Sequence, residues 1–296
     1  MKTTVSYPVG GSDFAEKALD LTNSIRRNSD EVKIVTGIRE EEKDEIDEET
    51  LREIKEKTEM HTIRRSTEKY PISAKISTMK KASEEVDSDI LIHLDSDVFV
   101  VDNIEDIFKI RNDKDFLAKP VDFGNQHYAC KKSFKQWQEI ANALNKDFKG
   151  LKYRSTIDNN RIPPYFNAGV VVSFNDEFPK RWAQVTDKVY EITQSRYSDQ
   201  IALGLLEQEF KRGKIEEKKS YNLPGHFRVP ENVEILRYED YNHLLRLKAV
   251  LRSNIEETID LENKWESERD RVRGLIKSYK FYLSLHYRYL RKIPKF

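Results

Sequence analysis

Residues 89–102 read Asp-Ile-Leu-Ile-His-Leu-Asp-Ser-Asp-Val-Phe-Val-Val-Asp, and this stretch decides the fold. The run Ile90–Leu94 is almost wholly apolar and rich in β-branched residues, which is typical of a strand buried on both faces. Asp95-Ser96-Asp97 follows it, and a second apolar run begins at Val98. Because burying an unpaired charge is unfavourable, this placement indicates a compensating cation, although a plain strand-ending turn is the simpler alternative. Oxygen ligands of this kind suit Mg²⁺ or Mn²⁺ carrying a substrate's phosphates.

The rest of the chain alternates predicted strands and helices. A first strand at 2–7, a helix from Ser12 or Asp13 and a second strand at 32–38 make a β-α-β beginning. Further helices are predicted at 40–57, 74–86, 104–110, 131–148, 177–194 and from about 198, and further strands at 116–121, 170–174 and 233–238. The pattern predicts an α/β domain over residues 1–241 with a mixed, mainly parallel sheet, followed by a helical tail at 242–296.

The amino-acid composition and charge of the chain exclude several classes of protein. Lys+Arg and Asp+Glu are balanced at 52 each, so no global field marks a nucleic-acid binder and no nucleic-acid partner is expected. The single cysteine, Cys130, excludes an intramolecular disulfide and fits a reducing compartment. Neither an apolar leader nor an apolar run of membrane-spanning length is visible in the sequence. We therefore expect a cytoplasmic protein, at most peripheral on the inner face of a membrane.

Four separated segments, taken together, resemble the GT-A glycosyltransferases, most closely the retaining glycogenin-like and lipopolysaccharide galactosyltransferase-like group. In chain order they are Ile72-Ser73-Ala74-Lys75, Leu94-Asp95-Ser96-Asp97, Phe166-Asn167-Ala168-Gly169-Val170 and Ser198-Asp199-Gln200. The resemblance covers roughly residues 2–238. It implies a single Rossmann-like GT-A domain that binds a nucleotide-sugar.

The resemblance also implies a role for each matching residue. Asp95 and Asp97 would hold Mn²⁺ or Mg²⁺ against the donor diphosphate, where the cation neutralises charge on the departing nucleotide. The other implied donor-binding residues are Tyr7, Pro8, Lys75, Ser96 and Gly169, and the implied catalytic residues are Asn167, Asp199 and Gln200.

Some of these residues have simpler explanations. Lys75 could be an ordinary solvated lysine, and Gly169 a turn before a strand. Asp199 or Ser198 could be a helix N-cap. For Asp199 the two roles are compatible.

The sequence departs from the family pattern in its last predicted strand. The family usually completes its metal site with a histidine there, but this chain has Arg237. Either His226 or His243 supplies the third ligand from a shifted loop, or Arg237 contacts the diphosphate, since arginine binds phosphate in a bidentate manner. The family's following Lys-Pro-Trp loop is also missing, which puts a closing lid over the donor in doubt.

Residues 271–296 contain no acidic residue and alternate basic with aromatic and aliphatic side chains. This composition is typical of a segment that lies on an anionic membrane surface. The alternatives are packing against the domain, a dimer contact and a nucleic-acid patch. A membrane-bound tail would suit a lipid-linked or envelope glycan as acceptor.

We therefore predict a glycosyltransferase that moves a sugar from a nucleotide-diphosphate-sugar, with a UDP-sugar favoured, to an acceptor hydroxyl. Retention of configuration follows only from the resemblance. One alternative enzyme is a sugar-1-phosphate nucleotidyltransferase, but residues 8–11 lack the basic side chains of its phosphate loop. A membrane-associated scaffold that has lost catalysis is the alternative outside enzymes.

Overall fold

The computed structural model describes residues 1–29, 31–64, 70, 72–100, 103–104, 113–125, 127–130 and 133–213, and the backbone of 223–224 and 235–237. His226, His243, the predicted domain boundary at 241 and the tail at 242–296 lie outside the described residues. The same holds for the predicted helix at 104–110 beyond its first residue.

A central sheet of seven strands organises the molecule. Its strands in chain order are β1 (Thr3–Pro8), β2 (Lys33–Ile38), β3 (Glu59–Thr62), β4 (Ile90–Leu94), β6 (Phe116–Pro120), β9 (Phe166–Ser173) and β10 (Arg212–Gly213). They lie side by side in the order β10-β6-β9-β4-β1-β2-β3. All neighbouring pairs are parallel except those of β9, which runs antiparallel to both β4 and β6. The start of β9 therefore meets the carboxyl ends of β1, β4 and β6 at one edge of the sheet.

The remaining strands in the described part of the chain form two smaller sheets. One contains β5 (Val98–Val100), β11 (Leu223–Pro224) and β12 (Ile235–Arg237), and the other contains β7 (Tyr153–Arg154) and β8 (Arg161–Ile162). Strand β12 pairs antiparallel with β5, so the backbone of Arg237 lies opposite Val98, one residue after Asp97.

In the part of the chain that the structure describes, six α-helices surround the sheet. They are α1 (Ser12–Asn28), α2 (Glu48–Lys57), α3 (Ser73–Glu85), α4 (Phe134–Ala143), α5 (Glu177–Thr193) and α6 (Ser198–Leu206). Short 3-10 helices occur at Glu40–Glu45 and His127–Ala129. None of the helices in the described part of the chain is long and apolar enough to cross a membrane.

The two faces of the sheet carry different cores. The face covered by α1 and α2 is mainly aliphatic, with Val5, Leu21, Ile34, Ile54 and Ile92 among its buried residues. The face covered by α3, α4, α5 and α6 is rich in aromatic side chains, with Tyr70, Trp137, Tyr165, Phe178 and Trp182 among its buried residues. The functional residues described below belong to the aromatic face.

Helix α6 docks unusually close to the segment before β9. A methyl group at Gly204 would lie 1.6 Å from the Pro164 carbonyl oxygen, a distance that no side chain tolerates. The glycine therefore lets the helix backbone approach the chain that leads into β9.

The differences from the predicted elements have local causes. Strand β9 begins at Phe166 rather than 170, so the predicted loop around Gly169 is already strand, and the turn alternative for this glycine was wrong. The acidic stretch 40–57 is not one helix: it breaks at Ile46, and Asp47 caps α2 by accepting from the Thr50 amide at 2.9 Å. Strand β3 escaped prediction because its sequence, Glu-Met-His-Thr, is mostly polar and lies at a sheet edge.

Candidate active site

The Asp95-Ser96-Asp97 turn lies at the sheet edge where β1, β4 and β9 meet. Ser96 donates its hydroxyl hydrogen bond to the Pro8 carbonyl at 2.6 Å, which ties the turn to the end of β1. The Asp95 amide donates to the Gly169 carbonyl at 2.8 Å, which ties it to the start of β9. Both aspartates are half-buried. The fold thus brings two of the four segments quoted from the sequence together at the end of β1.

Lys75 connects this turn to the fourth segment. Its ammonium group lies 2.7 Å from Asp199 Oδ2, 3.2 Å from Asp95 Oδ1 and 3.4 Å from the Ala168 carbonyl. The residue is only 8% exposed, so the alternative of a solvated lysine was wrong. Burial alone would lower the pKa of Lys75, but the carboxylates of Asp199 and Asp95 outweigh it, and the pKa is raised. Lys75 therefore stays charged inside the protein.

Asp199 is held from two sides. Tyr70 donates its hydroxyl hydrogen bond to Asp199 Oδ1 at 3.2 Å and accepts one from the Asp199 amide at 3.1 Å, while Lys75 pairs with Oδ2. The residue is 1% exposed. Asp199 is not the N-cap of α6, because Tyr197 occupies that position and makes no side-chain capping hydrogen bond. The capping alternative was therefore wrong for both Ser198 and Asp199. A carboxylate enclosed in this way is poorly placed to attack a sugar.

The other predicted catalytic residues flank this pair. Asn167 is half-buried and accepts a hydrogen bond from the Gly169 amide on Oδ1 at 2.8 Å, which fixes its side chain at the start of β9. Gln200 follows Asp199 in the first turn of α6 and is half-buried. Each is thus the sequence neighbour of a residue that Lys75 contacts, Ala168 or Asp199, and neither is fully buried.

The structure does not place every predicted donor-binding side chain at a ligand-accessible position. Tyr7 is 0% exposed, and its hydroxyl shares a 2.6 Å hydrogen bond with Thr22 inside the aliphatic face. Only the backbone of Tyr7 can border a nucleotide, together with the half-buried Pro8 that follows it. For Arg237 the structure describes the backbone pairing with Val98 alone.

Sequence reasoning missed three residues of the inner site. Tyr70 was overlooked because one tyrosine carries no spacing signal. His93 reads as core in an apolar run, yet its Nε2 lies 3.5 Å from Asp95 Oδ1. Trp182 donates from its indole nitrogen to the Asp199 carbonyl at 3.0 Å.

Exposed aromatic residues near this edge were also missed. Phe14, in the first turn of α1, is 54% exposed. The His127 ring stacks on Tyr197 with centroids 3.7 Å apart, and the Arg196 guanidinium lies 5.4 Å from the Tyr197 ring centre. Exposed aromatic surface of this kind suits flat ligands and sugar rings, but a sequence does not reveal which aromatic residues are exposed.

The residues present provide two oxygen ligands for a metal. Within the described residues, no group of three His, Cys, Asp or Glu side chains converges on one point. Asp95 and Asp97 remain as the ligand pair. Mg²⁺ often binds through one or two carboxylates, with substrate phosphates and water completing its shell, so this donor set fits a cation that arrives with a diphosphate.

Comparison with solved structures identifies the fold. The chain is similar to the galactosyltransferase LgtC in complex with donor and acceptor sugar analogues, with 14% identity, a TM-score of 0.53, and 92% of this chain and 99% of that chain covered. The apo form of GlyE from Streptococcus pneumoniae TIGR4 gives 13% identity, a TM-score of 0.53, and 89% and 63% coverage, so this chain spans less than two thirds of GlyE. Mouse xyloside xylosyltransferase 1 in its apo form gives 12% identity, a TM-score of 0.52, and 81% and 99% coverage.

Comparison with protein families identifies the family. No curated protein sequence matches the chain significantly. Residues 9–211, more than half of the chain, match the Rhodobacterales glycosyltransferase domain. The chain therefore belongs to this family and is a glycosyltransferase with the GT-A fold.

Proposed function

We propose that the protein transfers a sugar from a nucleotide-diphosphate-sugar, with UDP-sugars as the first candidates, to an acceptor hydroxyl with retention of configuration. The observation that carries the proposal is Lys75, enclosed between Asp95 and Asp199 at the sheet edge that also holds Asp97. Asp95 and Asp97 supply carboxylate oxygens, which are the ligands that Mg²⁺ and Mn²⁺ prefer. A sugar diphosphate is the donor class that such a cation would carry.

We propose that Asp95 and Asp97 hold Mn²⁺ or Mg²⁺. When bound, the metal supplies neutralisation of the charge that develops on the departing diphosphate. His226 and Arg237 remain the proposed third ligand and the proposed phosphate contact. The pairing of Arg237 with Val98 supports a position beside the Asp95-Ser96-Asp97 turn.

The lysine and Asp199 have a positioning role in this proposal. An ammonium group has three N–H donors, and Lys75 has three acceptors within 3.4 Å, so it holds Asp95, Asp199 and the start of β9 together. Asp199, which Tyr70 and Lys75 enclose, is not assigned as the nucleophile. Asn167 and Gln200 are then the side-chain amides left to bind the transferred sugar, and Gly169 lines the same pocket.

Two exposed surfaces suit the ends of the donor and the acceptor. Phe14 is exposed and packs against Gly10, two residues after Pro8, and it offers a flat apolar face for a nucleotide base. The His127–Tyr197 stack adjoins Asp199 through α6 and offers a platform for an acceptor sugar ring. A lipid-linked or envelope acceptor, with residues 271–296 on an anionic membrane, is the extension that the sequence of the tail favours.

The test measures donor binding and donor hydrolysis against a panel of UDP- and GDP-sugars, with Mn²⁺ or with a chelator. We expect one donor to raise the melting temperature of the wild type only when the metal is present, and Asp97→Ala to lose both this shift and hydrolysis. Asp176→Ala is the matched control, because Asp176 is exposed at the start of α5 and makes no side-chain capping bond.

Each alternative function predicts a different result in these measurements. A scaffold without catalysis predicts no shift with any donor, with or without metal. A sugar-1-phosphate nucleotidyltransferase predicts release of pyrophosphate from a nucleoside triphosphate and a sugar phosphate. Deleting residues 271–296 and measuring sedimentation with vesicles of phosphatidylserine and phosphatidylcholine tests the membrane extension separately.

A further inference from the structure

His93 is the one polar residue of β4, whose sequence is Ile-Leu-Ile-His-Leu. It is 0% exposed and lies on the aromatic face, on the same side of the strand as Leu91 and Asp95. The ring of Trp182 meets it edge-on, with centroids 6.0 Å apart. The imidazole thus fills a site in the core directly beneath the Asp95-Ser96-Asp97 turn.

Packing alone does not account for a histidine at this position. Neither ring nitrogen makes a hydrogen bond to any residue that the structure describes. A buried polar group without a partner destabilises the fold, and an aliphatic side chain of similar size would avoid this penalty. A polar residue at a position where it destabilises the fold indicates a role in the site.

The nearest polar group to the ring belongs to that site. His93 Nε2 lies 3.5 Å from Asp95 Oδ1, somewhat beyond a normal hydrogen bond, and Lys75 Nζ approaches the same oxygen at 3.2 Å. An imidazole ring that carries its proton on Nε2 can donate toward Asp95 Oδ1.

We propose that His93 is a positioning residue that orients the Asp95 carboxylate through an Nε2–H···Oδ1 contact, so that Asp95 meets the metal and the donor diphosphate in one orientation. This inference rests on the proposed function. A neighbour that orients a metal-binding side chain typically changes metal affinity by about 10–100-fold when it is removed. His93 itself does not touch the sugar or the nucleotide in this proposal.

The test compares His93→Leu, which removes the donor, with His93→Gln, which keeps an N–H group at similar reach. Thr186→Val is the matched control, because the Thr186 hydroxyl is also buried without a hydrogen-bond partner among the described residues but belongs to α5. We measure the Kd of Mn²⁺ in the presence of UDP by calorimetry, and KM and kcat for the donor. His93→Leu should weaken Mn²⁺ binding and raise KM by about 10-fold with little change in kcat, while His93→Gln stays within about 3-fold of the wild type. Thr186→Val should bind as the wild type does.

Stability separates positioning from a merely structural role. His93→Leu should unfold at the same urea concentration as the wild type or a higher one, because it removes an unpaired buried polar group. A His93→Leu protein that is less stable yet binds Mn²⁺ with UDP normally would overturn the proposal.

A measurement without ligand keeps the inference distinct from the proposed function. Nitrogen-15 NMR of the wild type should show a proton on His93 Nε2, and Asp95→Asn should shift the resonances of the ring nitrogens. An unchanged His93 spectrum in Asp95→Asn overturns the positioning role even if donor binding is confirmed. A shifted spectrum in a protein that binds no nucleotide-sugar supports the His93–Asp95 contact and rejects the proposed function instead.

Discussion

Two clusters of three charged side chains are built alike but are opposite in sign. The buried lysine cluster consists of Lys75, Asp95 and Asp199. The exposed glutamate cluster consists of Glu209, Lys146 and Arg181. In each cluster a central charge touches two charges of the opposite sign, at distances between 2.5 and 3.2 Å.

The two clusters have similar geometry and differ in how far their side chains are exposed to solvent. The side chains of Lys75, Asp95 and Asp199 are 9%, 22% and 1% exposed. In the glutamate cluster Lys146 is 8% exposed, but Arg181 and the central Glu209 are 37% and 30% exposed. Water screens the exposed glutamate cluster, which ties the end of α6 to α5 and to the loop after α4. The buried lysine cluster lies in a medium that screens charge poorly, so each contact there matters more. The comparison indicates that the buried lysine cluster positions residues of the candidate active site, whereas the exposed glutamate cluster stabilises the fold.

The largest expected effect comes from removing the centre of the buried cluster. Lys75→Met leaves the Asp199 carboxylate without its cation, and we expect a loss of about 3–5 kcal/mol in the free energy of unfolding. Urea unfolding measures it. The double variant Lys75→Met/Asp199→Asn should recover part of the loss, because it removes the stranded charge. A double variant less stable than Lys75→Met would show that Asp199 is not the group that the lysine compensates.

An intermediate effect is expected for one tyrosine beside Asp199 but not for another. Tyr70→Phe removes the hydroxyl that donates to Asp199 Oδ1, and we expect a loss of about 1–3 kcal/mol in the free energy of unfolding. Tyr165→Phe is the control, because the buried Tyr165 hydroxyl has no hydrogen-bond partner in the part of the chain described, and its removal should be neutral or stabilising. Equal losses in the two variants would mean that the Tyr70 hydrogen bond does not support Asp199.

The smallest effect is expected in the exposed glutamate cluster, and it depends on pH. The hydrogen bond from Arg181 is the main cause that lowers the pKa of Glu209 from 4.5 to about 2, and Lys146 adds to it. A lowered carboxyl pKa stabilises the fold above pH 4.5, and the effect is lost as the pH falls through about 2. Glu209→Gln should therefore lose about 1 kcal/mol at pH 7, and this difference from the wild type should shrink below pH 4.5.

Unfolding curves of wild type and Glu209→Gln at pH 7, 4 and 3 measure this change, and donor binding at pH 7 should be the same for both. A difference that stays constant with pH would show that the carboxylate charge is not responsible. Loss of donor binding would remove the distinction between the two clusters.

Much of the fold was predictable because its strands have clear apolar runs. Strand β4 has the predicted bounds Ile90–Leu94, and the carboxylates after it lie at the predicted edge. Helix α4 is shorter than the predicted 131–148, because the chain leaves the helix after Ala143 and Asn145 takes a left-handed conformation with φ of 52°. Strand β9 was predicted too short, because two prolines and Gly169 made its first half look like a loop.

The site was predictable only in part, because sequence patterns do not encode burial. The family resemblance singled out Lys75 and Asp199, but it could not show that they pair inside the core. It also made Tyr7 a ligand contact, whereas the strand alternation turns its ring toward Thr22. Tyr70 contacts Asp199, which is 129 positions away, and His93 packs against the distant Trp182, so neither environment can be read from the sequence.

The close docking of α6 at Gly204 has a consequence for the order in which the protein folds. The Tyr70–Asp199 hydrogen bond joins residues that are 129 positions apart, and the Lys75–Ala168 contact spans 93 positions. Contacts of such long range form slowly, because the entropy of closing the intervening loops is lost first. On the ribosome, Lys75 and Asp95 emerge well before Asp199, and the sheet edge stays incomplete until α6 settles against Pro164. We therefore expect the Lys75–Asp199 pair to form late in folding.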